Sequence, residues 1–194
     1  MLRDSLRQLV QPFCPLSEEE IEAFAQHFEL LRRWNTKINL TRIEDEAEAA
    51  VRHYGESAFL ARWLPAGPLA AADLGAGGGF PGIPIAVLRP DLEVTLIESH
   101  QRKAAFLREA ARSLRNVRVI AARGEAVTQS FDWLVSRAVA WKDLRRFVFR
   151  LAPNVALLTA EAVIPGEVAR VPLPWVGSGF LVGVSRETSA DRTP

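Results

Sequence analysis

The chain has 194 residues, 48% of them hydrophobic, enough apolar mass for one substantial core and a modest extra element. Its net charge of +1 excludes a global polycation, so any nucleic-acid surface has to be local. Cys14 is the single cysteine, which excludes an internal disulfide and a thiolate metal cluster. No run approaches the roughly 18 apolar residues of a membrane span. The opening M-L-R-D-S-L-R-Q-L breaks its apolar positions with charge and lacks the core of a signal peptide. A soluble cytoplasmic protein with no membrane partner is expected.

Ser17-Glu18-Glu19-Glu20 reads as a capping box. Ile21, Phe24, Phe28, Leu31 and Trp34 follow at spacings of three and four, which predicts an amphipathic helix to about Asn35. The stretch N-T-K-I-N-L-T, Asn35 to Thr41, is a turn rich in side-chain hydrogen-bonding groups. A second helix is expected from Asp45 to Trp63, with Val51, Tyr54, Ala58 and Leu60 inward, ended by Pro65, Gly67 and Pro68. Leu69 to Leu74 reads as a strand and Ile83 to Leu88 as a helix that tolerates Pro84 in its first turn. Val94 to Ile97 is a second strand, and Gln101 to Leu114 a helix packed through Ala105, Phe106, Leu107 and Ala111. Strands follow at Asn116 to Ala121, Phe131 to Val135 and Val155 to Thr159, with a helix from about Trp141 to Leu151. A Pro-rich tail carries two weaker strand signals, Val168 to Val171 and Phe180 to Val184, with no helix between them and the fifth strand. Such alternation implies an α/β, doubly wound, mostly parallel sheet. Residues 1–66 would form an N-terminal helical cap within the same compact unit. Residues 67–194 would form the sheet domain, with a shortened, divergent C-terminal segment.

Between the first strand and its helix lie Gly75, Gly77, Gly78 and Gly79, then Phe80-Pro81-Gly82. Strand, glycine loop, helix is the nucleotide-binding opening of a doubly wound sheet. Gly77-x-Gly79-x-x-Gly82 satisfies the dinucleotide spacing, but Gly75 already begins the turn, and the sixth position counted from it is Phe80 where a pyrophosphate site needs glycine. The other pattern is acid-x-Gly-x-Gly, Asp73 to Gly77, with Ala76 between the glycines. A carboxylate there suits a cationic ammonium better than a phosphate, because anions belong at helix N–H groups. S-adenosylmethionine is therefore favoured as cofactor, with an NAD-dependent oxidoreductase as the alternative.

Glu98, at the end of the second strand, is placed to accept both ribose hydroxyls of an adenosine cofactor. Arg123-Gly124-Glu125 follows the third strand, where Glu125 and the Gly124 backbone could read an adenine; an ordinary surface pair is the competing reading. Arg137, flanked by Ser136 and Ala138 after the fourth strand, is either functional or a partly buried arginine bonded to loop carbonyls. His53 lies within the second helix, where a lone histidine is more often structural than catalytic, and no metal spacing surrounds it. No serine stands in a nucleophile elbow, so hydrolytic triads get no support.

These residues together resemble the glucose-inhibited division protein B family of bacterial 16S ribosomal RNA guanine-N7 methyltransferases. The resemblance runs from about Trp34 to Leu151. It rests on W-N-x-x-I-N-L-T at Trp34 to Thr41, R-H-Y-G-E-S at Arg52 to Ser57, D-L-G-A-G-G-G-F-P-G-I-P-I at Asp73 to Ile85, I-E-S at Ile97 to Ser99, Lys103, Arg123-Gly124-Glu125, and S-R-A at Ser136 to Ala138. The resemblance implies a class I S-adenosylmethionine-dependent methyltransferase fold with a helical N-terminal extension. It implies Asp73, Gly75, Ala76, Gly77, Phe80, Glu98, Gly124, Glu125 and Arg137 as cofactor-binding residues. Arg137, Arg123, Asn39 and His53 are the catalytic candidates, and no metal is expected. The implied partner is 16S ribosomal RNA or a small-subunit ribosomal particle, not DNA, and the protein is expected to act as a monomer. Two departures stand out: the family usually has Asp where this chain has Glu56, and a Lys-Gly pair where this chain reads Leu158-Thr159-Ala160-Glu161. A relative that binds RNA or the ribosome without turnover is a further alternative.

The residue chemistry agrees with N7 methylation. Guanine N7 already carries an in-plane lone pair, so the reaction needs alignment and no base. Pyrimidine C5 chemistry needs a nucleophilic cysteine, and the fourth strand here ends in Ser136-Arg137-Ala138. An arginine on both O6 and N7 would block attack, so Arg137 or Arg123 is expected on O6, a phosphate or the cofactor carboxylate.

Overall fold

The computed structural model describes residues 1–175, 177 and 179–186, so the last residues of the sheet-domain reading, 187–194, lie outside it. Seven strands form one sheet in the order β3-β2-β1-β4-β5-β7-β6. They are β1 (Ala70–Leu74), β2 (Glu93–Ile97), β3 (Val117–Ile120), β4 (Trp133–Arg137), β5 (Asn154–Thr159), β6 (Glu167–Pro172) and β7 (Phe180–Ser185). β1 pairs in parallel with both β2 and β4, whereas β7 runs antiparallel to β5 and β6. The central strands are buried on both faces, which is why β2 and β5 read as near-continuous apolar runs. The strand order reverses between β1 and β4, and the carboxyl ends of those two strands are where an open α/β sheet places its ligand.

The helical layer on one face is built from α1 (Leu2–Ser5), α2 (Glu18–Asn35), α3 (Glu46–Ala49), α4 (Glu56–Trp63), α5 (Gly82–Leu88) and α6 (Gln101–Ala110). The other face carries α7 (Trp141–Leu144) and α8 (Val148–Leu151). The capping box of α2 forms as expected, with Ser17 Oγ accepting from Glu20 N–H at 3.2 Å and Glu20 Oε2 accepting from Ser17 N–H at 2.7 Å. Its buried stripe of Ile21, Phe24, Phe28 and Leu31 shares a core with Tyr54, Phe80 and Phe106, so cap and sheet pack through one apolar cluster. No helix among the described residues is long and apolar enough to cross a membrane.

Several local expectations change. Leu2 to Val10 is helical, α1 continuing as a π-helical stretch Leu6–Val10; Leu2, Leu6 and Val10 are buried at intervals of four despite the charges between them. The expected second helix carries a π-helical stretch, Ala50–Gly55, between α3 and α4, and the wider turn holds His53 inward. On α6 the inward residue is Ala104, in register with Leu107 and Ala111, while Ala105 is exposed. The helix expected from Trp141 to Leu151 is broken into α7 and α8 by a turn at residues 145–147. As expected, β5 passes to β6 with no helix between them.

The chain leaves β4 through Ala138, a non-glycine residue with φ of 60°. That left-handed conformation costs an L-residue about 1–2 kcal/mol, and it turns the backbone directly after Arg137. Ala138→Gly removes the Cβ strain but adds unfolded-state entropy worth about 0.5–1 kcal/mol. The variant is expected to be more stable than the parent by about 0.5 kcal/mol, read as a raised urea midpoint at unchanged slope. A lowered midpoint would show that the alanine methyl makes compensating contacts.

Candidate functional site

The glycine loop sits on the carboxyl end of β1 and is fastened from beneath. Asp73 is fully buried; its Oδ2 accepts from Gly82 N–H at 2.8 Å, joining β1 to the start of α5. Gly82 has no room for a side chain, since a Cβ there would lie 2.7 Å from Asp73 Oδ2 and collide with Leu96. Gly79 is similarly enclosed, since a Cβ there would stand 2.5 Å from Ile83 Cδ1. A Cβ on Gly124 would meet Leu74 Cδ1 at 2.5 Å and Phe147 Cε2 at 2.8 Å. Gly77 differs. It has φ of +54°, and a Cβ would approach only the Gly75 carbonyl, at 3.7 Å. Gly77 thus faces open space over the loop, as a residue whose backbone meets a ligand must.

The loop's N–H groups decide which ligand fits. Those of Gly75 and Ala76 donate to Ile97 O, Gly77 N–H to Glu98 Oε2 at 3.0 Å, and Gly79 and Phe80 N–H to Ala76 O. At the start of α5, Gly82 N–H is held by Asp73 and Ile83 N–H by Gly79 O, while Pro81 and Pro84 have no N–H to offer. A pyrophosphate needs such donors at the helix N-terminus. Here they are already engaged within the protein, which disfavours the dinucleotide reading.

Burial pushes the Asp73 carboxyl up to about 7, only partly offset by the Gly82 N–H and the Arg137 charge. The sign follows from linkage. The folded protein holds this proton more tightly than the unfolded chain, whose aspartate titrates near 3.9. The stabilisation is full below about pH 4 and is lost as pH rises toward 7, an effect on the order of 4 kcal/mol. Asp73→Asn keeps an oxygen for Gly82 N–H and removes the titration. Its stability relative to the parent should climb between about pH 4 and 7 and then level off, as read from urea midpoints across that range. A flat difference would mean Asp73 stays ionised in the fold.

A cavity of about 170 Å³ lies beside the loop, lined among others by Leu74, Gly75, Ile97, Gly124, Val139 and Phe147. Its walls are mainly apolar, with Arg123 and Glu125 at its edge, both exposed. Glu98 closes the end of β2: Oε2 takes Gly77 N–H and Oε1 takes His100 N–H at 2.7 Å, so one carboxylate sets both the loop and the turn into α6. The turn Gly124–Ala126 is held from behind by Arg150, which donates to Val127 O and Glu125 O.

A second group converges at the end of β4. Ser136 Oγ donates to Leu74 O at 2.8 Å, pinning the carboxyl ends of β4 and β1 together. Arg137 reaches from there into the cap. Its NH1 donates to the Arg52 carbonyl, its NH2 lies 2.9 Å from His53 Nδ1, and its guanidinium sits 5.4 Å above the Phe80 ring. Guanidinium only donates, so His53 Nδ1 must accept, and the proton of this imidazole sits on Nε2, donated to Thr41 Oγ1 at 2.9 Å. The His53 ring also stacks on Phe80, centroids 4.1 Å apart. Burial and the Arg137 charge drive the His53 pKa down to about 2, so His53 stays neutral and its acceptor nitrogen is occupied. Glu56, buried at the start of α4, pairs with Arg52 Nε at 3.1 Å and stands 4.0 Å from Arg137 NH1.

The structure therefore gathers Arg137, His53 and Phe80 into one network, and Gly75, Gly124, Glu125 and Arg123 around the cavity beside the loop. Ala76 is buried within the loop, and Asp73 lies beneath it with no exposed surface. Asn39 joins neither group. It is exposed on a separate cleft with Lys37, His100, Arg102 and Lys103. The turn that carries it is fixed by Asn35, whose Oδ1 accepts from Leu40 and Thr41 N–H. Sequence reasoning passed over Thr41, Ser136, Glu56 and Arg150 as site residues. Thr41, Ser136 and Glu56 stand inside the motifs named above, Glu56 as a departure from the family pattern, whereas Arg150 carried no signal.

The strand order with a single reversed strand, and the glycine loop at the switch point, define a Rossmann-like methyltransferase fold. Solved structures similar to it in fold include a SAM dependent methyltransferase from Aquifex aeolicus (TM-score 0.52, 13% identity, covering 70% of this chain and 90% of that one). MtNAS in complex with MTA and tNA is another, at TM-score 0.54 and 16% identity over 93% of this chain and 75% of that one. Residues 20–152 match the family described as GidB, rRNA small subunit methyltransferase G. Ribosomal RNA small subunit methyltransferase G of Xanthomonas campestris pv. campestris (strain B100) is 41% identical over 160 residues, 77% of this chain and 73% of that protein. The protein of the same name from Roseiflexus sp. (strain RS-1) is 42% identical over 133 residues, 64% of this chain and 57% of its own. The chain belongs to the rRNA small subunit methyltransferase G family.

Proposed function

We propose that this protein uses S-adenosylmethionine to methylate N7 of a guanine in 16S ribosomal RNA, free or within a small-subunit particle, in the cytoplasm. Family membership supports the substrate class. The observation that carries the cofactor is the loop, in which the N–H groups of Gly75, Ala76, Gly77, Gly79 and Phe80 are engaged internally while Gly77 faces open space. Gly75 and Gly77 would bring bare backbone to the cofactor, Gly124 and Phe147 would enclose its purine, and Glu98 would hold the loop in shape beside the ribose. When bound, the cofactor supplies an electrophilic methyl group on a sulfonium. Guanine N7 attacks with its own lone pair, so the chain needs no general base, and neutral His53 with its acceptor nitrogen taken by Arg137 provides none. The residues orient the base and keep water out. Outside the site, Lys37 and Lys103 are two of the chain's three lysines, and both line the cleft beside α6. Their placement supports contacts to RNA phosphates.

Calorimetry with S-adenosylmethionine and with NAD, followed by transfer of labelled methyl to small-subunit RNA, tests this reading. Binding of the first ligand alone and label in the RNA are expected. NAD binding with no label would replace it with the oxidoreductase, and cofactor binding without transfer to any RNA or particle would favour the non-catalytic relative.

A further inference from the structure

Beyond β4 and β5 lies a cavity of about 560 Å³ that shares Val139 with the smaller cavity beside the glycine loop. Arg52, Glu56, Arg137 and Glu161 are its charged lining. On one wall Arg137 and Glu56 stand side by side, a fixed donor next to a fixed acceptor, NH1 to Oε2 4.0 Å. Both are set in place by the protein: Arg137 by the Arg52 carbonyl and His53 Nδ1, Glu56 by Arg52 Nε. A polar pair held so firmly before any ligand arrives discriminates strongly, because a mismatched partner leaves buried groups unsatisfied. The other acid, Glu161, already accepts Trp141 N–H at 2.8 Å through Oε1.

The Watson–Crick edge of guanine runs acceptor, donor, donor: O6, N1–H, 2-amino. That order is the complement of Arg137 followed by the Glu56 carboxylate. Adenine presents a donor at N6 and an acceptor at N1 and is mismatched at both. Binding by this edge also leaves N7, on the other ring, uncovered, whereas an arginine spanning O6 and N7 would block it. We propose that this cavity receives the target guanine by its Watson–Crick edge, Arg137 donating to O6 and Glu56 accepting from N1–H and the 2-amino group. The proposal rests on the methyl-transfer reading of the same site, and it assigns the base specificity to two side chains.

The test crosses base analogues with variants of Glu56. RNA substrates carry guanosine or inosine, which lacks the 2-amino group, at the methylated position, and single-turnover methylation is measured for the parent, Glu56→Gln and Glu56→Asp. The parent should favour guanosine over inosine at least about tenfold. Glu56→Gln should be slow on guanosine and lose that preference, and Glu56→Asp, which keeps a carboxylate, should retain part of it. Cofactor affinity and thermal melting of each variant report folding separately. If Glu56→Gln does not fold, the preference of Glu56→Asp against the parent decides, an unchanged ratio overturning the assignment. An inosine penalty equal in parent and Glu56→Gln, or one that vanishes in Glu161→Gln instead, also overturns it. A parent that methylates no RNA refutes the methyl-transfer reading itself, a result distinct from all of these.

Discussion

Gly77→Val is expected to fold and to lose S-adenosylmethionine affinity by at least about a hundredfold, some 2.8 kcal/mol. The loop's glycines separate into two kinds. Substituting Gly79, Gly82 or Gly124 drives a side chain into Ile83, Asp73 or Leu74, so those variants would report packing damage. At Gly77 the side chain enters open space, and the cost to folding is the left-handed backbone, about 1–2 kcal/mol. Its N–H bond to Glu98 survives, since that bond uses backbone alone. The loss then falls on whatever lies against the loop. Calorimetry alongside a thermal melt checks this: a folded variant with parental affinity would move the cofactor elsewhere.

Arg137→Ala is expected to lower methyl transfer about 10²–10³-fold, the range for removing one preorganised donor from a site. Affinity for RNA should fall far less, since the proposed phosphate contacts lie with basic residues of the separate cleft beside α6, such as Lys37 and Lys103. The arginine is one-fifth exposed, and its fork bridges the cap, through Arg52 O and His53, to the end of β4. Truncation leaves His53 Nδ1 and part of the Glu56 charge unmatched, a cost to stability of about 1–3 kcal/mol. Arg137→Lys should rescue little, because an ammonium cannot present two divergent donors in one plane. Single-turnover rates and RNA binding measured below the variant's melting range separate the two effects; equal losses in both would make Arg137 a phosphate contact.

Much of this arrangement was readable from the chain. The acid and glycines of the loop, the alternation of strands and helices, and the placement of Arg137 at a strand end are local patterns that survive folding. What was not readable depends on packing between distant segments. Leu2, Leu6 and Val10 look interrupted by charge because helical burial at intervals of four is invisible to a search for continuous apolar runs. His53 carries no local mark of its role; only the meeting of the cap with β4 gives it Arg137 on one nitrogen and Thr41 on the other. Asp73 reads as a ligand contact from its spacing, yet its carboxylate is turned under the loop toward Gly82. Glu56 stood out in sequence only as a departure from the family pattern, and the fold places it beside Arg137.

The central claim is the identity of the methylated atom. N7-methylation leaves the guanine imidazole ring cationic, so borohydride reduction followed by aniline cleaves the RNA chain at that nucleotide alone. Small-subunit RNA incubated with the protein and S-adenosylmethionine should show one new scission, at a guanine, absent without enzyme and absent with Gly77→Val. Methyl label incorporated without any such scission would place the transfer on another atom and contradict the account.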